Sequence, residues 1–161
     1  VTIPSELVGP AFLSVVLAAA VIVALRVGSP AEPLRAVPAA CLALAVQSLH
    51  VAEEFLAGFH LRVPALLGLE PWSGGFFVAF NLIWLAIWAL AIGAFASGRA
   101  GLAAAAALWF LALAGVGNAL WHSLLALAAG GYFPGLASAL PAGAAGIFLA
   151  RRLRGRSHKE E

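Results

Sequence analysis

The residues of this chain that can do chemistry stand at helical spacing inside apolar runs. Gln47, His50 and Glu54 are three and four residues apart, which aligns them in one helical stripe with Glu53 at its edge. Much later Asn118 and His122 stand four apart and share a face of another helix, and Asn81 is the only strongly polar residue of a third apolar run. Two imidazoles and a carboxylate can hold Zn²⁺ with a fourth position open for water, and a second carboxylate can act as base on that water. The same donor set suits non-haem Fe(II), and the sequence leaves zinc and iron open. Di-metal carboxylate sites use four carboxylates, more than the apolar runs contain, so one divalent ion is the expectation. Without any ion, a His and Glu pair in an apolar pocket can move protons as acid and base, with Trp84, Trp88 and Trp121 placed to stabilise a cationic intermediate.

The bland alternative is that these groups only pin helices together. Interhelical polar contacts in membranes stabilise by only ~0.6 kcal/mol on average. Each ionised carboxylate at membrane depth costs about 2.5–3.5 kcal/mol, which argues for a functional site. His50, Glu54 and His122 are the expected metal ligands, because Glu54 lies one turn from His50 on the stripe. Glu53 projects about 100° away from Glu54 and is the expected catalytic base. Gln47, Asn81, Asn118, Trp84, Trp121 and Tyr132 are expected to support the site or touch substrate; Tyr132 with Pro134 and Gly135 reads as a turn that caps the outer side and can form part of the site's rim. His60 and His158, at a helix end and in a tail, read as solvated.

The elements that must position these residues are transmembrane helices. The chain is 63% hydrophobic and 10% charged with mean hydropathy +1.02, against roughly 25% charged in a soluble domain. Its apolar runs exceed the ~20 residues needed to cross the hydrocarbon layer. Five helices are predicted, at 7–27, 36–59, 75–97, 101–129 and 133–150, in one transmembrane domain spanning 1–161 with a short basic C-terminal tail. Glycine and proline breaks separate them, at Gly28 to Pro33, Pro64 to Gly75, Ser97 to Gly101 and Gly130 to Gly135. Alanine and glycine runs such as Ala103 to Ala107 suit close helix packing in lipid. The longest connection, His60 to Gly75, carries Val63, Leu66, Leu67 and Leu69 and reads as an interfacial lid.

Threading five helices alternately places Arg26, Arg35, Arg99, Arg151, Arg152, Arg154, Arg156 and Lys159 on one side and only Arg62 on the other. That asymmetry puts the C-terminus in the cytoplasm and the N-terminus outside. His50, Asn81 and His122 then lie within roughly a helical turn of one depth, in the outward half. The basic tail is a topology anchor that attracts anionic lipid headgroups, not a nucleic-acid patch. Val1 to Pro10 carries Glu6 and no basic residue, unlike a cleaved signal peptide, and the absence of methionine suggests a processed or trimmed start. Cys41 is the single cysteine, so no disulfide forms within the chain.

The string His50-Val51-Ala52-Glu53-Glu54 reads H-x-x-E-E, and it is followed by N-x-x-x-H at Asn118 to His122 and Y-x-P-G at Tyr132 to Gly135. Together, from about residue 40 to 150, they resemble the HXXEE-motif family, small bacterial multi-helix membrane proteins of unassigned function. The resemblance implies the same His50, Glu53, Glu54, Asn118 and His122 and brings no substrate. The H-E-x-x-H string of soluble zinc proteases is absent. The leading expectation is a metal-dependent membrane hydrolase in a bacterial plasma membrane, acting on a lipid or other apolar small molecule. A metal-free His/Glu lipid isomerase and a protein that binds or transports protons or divalent cations are the alternatives. The oligomeric state is not set by these features.

Overall fold

The computed structural model describes residues 8–30 and 32–154, with side chains from residue 13 onward. Glu6 and the tail residues Arg156, His158 and Lys159 lie outside the described residues. The fold is an all-α bundle: α1 (Val8–Val27), α2 (Val37–Leu56), α3 (Phe59–Leu66), α4 (Gly74–Ala96), α5 (Leu102–Ala128) and α6 (Leu136–Arg154), with a 3₁₀ turn, Pro33–Ala36, leading into α2. Among the described residues, three helices are long and apolar enough to cross a membrane, Pro33–Leu56, Gly74–Ala96 and Leu102–Ala128.

The five expected helices are present with ends displaced by a few residues, and the displacements bear on the site. Gly58, at φ +77°, ends α2 early, in the left-handed region that glycine adopts without steric cost. The chain then forms α3 where a connection was expected. Phe59, Val63 and Pro64 are buried, and Phe59 and Val63 pack with Trp72, Phe77, Leu125 and Phe133 over one end of the bundle, where Val63, Leu67 and Trp72 line a cavity. Leu61, Leu66 and Leu67 of this segment are exposed as an interfacial strap would be. At the other shifted boundary, α6 starts at Leu136 rather than 133 because Phe133, Pro134 and Gly135 are buried in a non-helical turn.

Small residues let the helices approach closely. A Cβ on Gly115 would run into the backbone of Ala142, and one on Gly146 into the carbonyl of Ala112, so α5 and α6 meet almost backbone to backbone. Ser73 starts α4 as an N-cap, its Oγ accepting from Phe76 N at 3.1 Å. The C-terminal ends of α2 and α5 meet the N-terminal ends of α4 and α6, as the Glu53–Ser138, Glu54–His122 and Phe55–Phe77 contacts show. The opposite half is a dry core of alanine, leucine and aromatic residues, among them Ala20, Ala40, Phe95, Leu108, Phe110 and Leu149.

Candidate metal centre

Helical spacing brings the α2 stripe inward. Gln47, His50 and Glu54 are buried on α2, and His122 is buried on α5. Glu54 Oε1 lies 3.1 Å from His122 Nε2 and 3.5 Å from His50 Nε2. The imidazole rings meet edge to face at 4.8 Å. The donor atoms of all three residues lie within 4.8 Å of one another, a group that could hold a metal ion. A tetrahedral ion with bonds of about 2.1 Å separates its donors by about 3.4 Å, and the two Glu54–His separations bracket that distance.

The far nitrogen of each ring fixes which nitrogen faces Glu54. His122 Nδ1 is 2.8 Å from the carbonyl oxygen of Pro134. A carbonyl only accepts, so His122 carries its proton on Nδ1. His50 Nδ1 is 2.9 Å from Ser138 Oγ. That hydroxyl donates its own proton to Glu53 Oε2, so it accepts from His50, and His50 also carries its proton on Nδ1. Both rings therefore turn Nε2 toward a carboxylate oxygen, and in the neutral form of each ring that atom is a lone pair. His50 Nε2 is buried without a hydrogen-bond partner. With both rings neutral, three acceptors meet at one point that a divalent ion or a shared proton would satisfy, and metal-bound histidines are held in this way, with the second nitrogen donating to a carbonyl or carboxylate-linked group.

Glu53, the expected base, is held by four hydrogen bonds. Its Oε1 accepts from Tyr132 Oη at 2.6 Å and Ala137 N at 3.2 Å, and its Oε2 accepts from Ser138 N at 2.8 Å and from Ser138 Oγ. A carboxylate offers about four acceptor positions, and all are used. Ala137 and Ser138 lie in the first turn of α6, whose N–H groups have no intrahelical partners. Glu53 caps α6 from α2, with its negative charge at the positive end of that helix. A carboxylate so engaged has no lone pair left for a substrate proton. Tyr132 sits in the connection between α5 and α6, and the hydrogen bond it donates to Glu53 holds its phenol above the usual tyrosine range near 10.

A cavity of about 350 Å³ lies against the triad, lined by Glu54 and His122, by Gln47, Asn81 and Asn118, and by Trp84, Trp88 and Trp121. Asn118 Nδ2 donates to Gln47 Oε1 at 3.3 Å, tying α5 to α2 beside the ligands. Asn81 spends a donor on its own helix, bonding Phe77 O at 2.9 Å. His60 is half-buried and stacked on Phe55, with ring centroids 5.3 Å apart, rather than solvated.

Ser138 escaped the sequence reading, and Pro134 and Gly135 were placed near the site without their part in holding the ligands. Gly135 has φ +90°, and a Cβ there would collide with the His122 ring and crowd Glu54. The Y-x-P-G string was the available signal, though it read as a rim rather than as part of the ligand support. Comparison with known protein families, with curated proteins and with solved structures finds no match for this chain.

Proposed function

We propose that this chain is an integral membrane enzyme in which His50, Glu54 and His122 hold one divalent ion, zinc or iron, and which hydrolyses an ester or amide bond of a lipid or other apolar substrate. The observation that carries the reading is the pair of histidines whose Nδ1 atoms are held by Ser138 Oγ and the Pro134 carbonyl while both Nε2 atoms face Glu54 in a buried setting. An ion bound there would lower the pKa of water and polarise a carbonyl. Glu54 is the one carboxylate that lines the cavity, so its second oxygen is the group placed to take the proton of the attacking water. The water oxygen bonds to the acyl carbon, the bond to the leaving oxygen or nitrogen breaks, and the proton passes to that leaving group. Gln47 and Asn118 orient the substrate, while Ser138, Pro134 and Glu53 hold the ligands and the helix that carries them.

In this proposal α1 and α6 also cross the membrane, giving five spans, with the site in the outer half of a bacterial plasma membrane. The one-sided distribution of arginine supports that orientation. The dry core of the other half favours enzyme over transporter, since a transported ion needs polar groups along its whole path. A metal-free acid–base isomerase is the second reading, favoured by Trp84, Trp88 and Trp121 around the cavity. The test is release of acid from a membrane lipid extract by purified protein. Loss on chelation, return with Zn²⁺ or Fe²⁺, and no activity in Glu54→Gln are expected. Undiminished turnover after complete metal removal would refute the metal-dependent reading.

A further inference from the structure

The shape of the cavity specifies more than an apolar substrate. On α4 its wall runs through Phe77, Asn81, Trp84 and Trp88, spacings of four, three and four that follow one stripe for about 16 Å of helix. On α5 it runs from His122 back to Ala114, about 12 Å. The triad therefore stands at one end. Trp84 and Trp88 close the other end, their rings 4.7 and 5.5 Å from that of Phe110. Polar groups gather toward the triad, at Glu54, His122 and the Gln47–Asn118 pair one turn deeper. Beyond them the wall is Leu13, Ala114 and the indoles of Trp84 and Trp88, with the Trp88 Nε1 as its one buried unpartnered polar atom.

An oblong compartment with a polar end, an apolar end and a floor fits one chain rather than two. At about 30 Å³ per water-sized unit, its 350 Å³ takes about a dozen chain atoms, and an extended chain of that many carbons matches the length of the walls. We infer that the cavity binds a single-chain amphiphile, an acyl ester or amide with a tail of about a dozen carbons, with its carbonyl at the triad and its tail end on Trp88 and Ala114, which set the chain length. This rests on the proposed hydrolytic site for the placement of the carbonyl and on the cavity alone for the tail. The tail points toward the Arg-bearing half of the bundle, as the tail of an outer-leaflet lipid does.

The test is native mass spectrometry of detergent-purified protein with an equimolar mixture of saturated monoacylglycerols from eight to eighteen carbons, as purified and again after chelation. Occupancy should peak near about twelve carbons and fall at least tenfold at eighteen. Ala114→Leu should shorten the preferred chain by about three carbons, the volume that it adds, and Trp88→Leu should lengthen it. Opposite shifts cannot come from general destabilisation. Equal occupancy at all lengths, preference for an added two-chain phospholipid, or shifts in the same direction would overturn the inference. A length optimum that survives chelation, in protein without metal-dependent turnover, would remove the hydrolase reading and leave the chain-binding cavity standing.

Discussion

Replacing Ser138 with alanine removes one oxygen that serves two helices at once. Ser138 Oγ accepts from His50 Nδ1 at 2.9 Å and donates to Glu53, and His50 is 0% exposed, so no water replaces the lost partner. An unpaired buried donor costs about 1–3 kcal/mol. Part of that cost falls on folding and part on metal affinity, because the ring is freed to turn or to move its proton to Nε2, the ligating atom. Loss of a group that orients a ligand typically weakens metal binding by about 10–100-fold. Competition titration of Zn²⁺ against a chromophoric chelator, in detergent, should show a loss in that range for Ser138→Ala. Ser138→Thr keeps the hydroxyl and should recover most of the affinity. An affinity within twofold of wild type in a well-folded Ser138→Ala protein would refute the tautomer argument, since it would mean that the Nδ1 contact does not fix the ligand.

Gly135→Ala should lose metal binding and stability together. A side chain at φ +90° is strained, and its Cβ would occupy the space of the His122 ring, so thermal unfolding should fall by several degrees where Gly131→Ala, with open space around it, changes little. Glu53→Gln should destabilise the bundle by about 2 kcal/mol through lost charge-assisted hydrogen bonds to α6, read as a lowered unfolding midpoint. The same variant should bring the phenol of Tyr132, the single tyrosine, down toward pH 10 in an absorbance titration. In the wild type that pKa is raised, so the stability given by the contact is complete below pH 10 and is lost as pH rises through the folded-state value. An unchanged tyrosine titration in Glu53→Gln would refute the contact. Gly146→Val should separate α5 from α6, because its side chain would enter the Ala112 carbonyl, and cross-linking between those helices should weaken.

The parts of the site that were legible in the sequence are those that depend on helical periodicity. Gln47, His50 and Glu54 share a stripe in any helix, as do Asn118 and His122, and burying two carboxylates among apolar residues is costly enough to signal a site. What stayed hidden depends on which helix lies opposite. Helical geometry sets Glu54 on the stripe and Glu53 at its edge, but only the arrival of the α6 N-terminus beside Glu53 makes it a cap. Ser138 is an ordinary residue in a membrane helix until His50 is found against it, and the carbonyl of Pro134 carries no side-chain signal at all. α3 was read as the end of one helix and a connection because Pro64, Pro71, Gly74 and Gly75 punctuate the stretch that follows residue 59. Its buried face is formed by Phe59 and Val63, too short a pattern to announce a helix.

The most direct test of the central claim is elemental analysis of detergent-purified protein, wild type beside His50→Ala and His122→Ala. The triad predicts close to one zinc or iron per wild-type chain and its loss from both variants. Metal-free, well-folded wild type after supplementation with both ions, or metal retained in both variants, would contradict it.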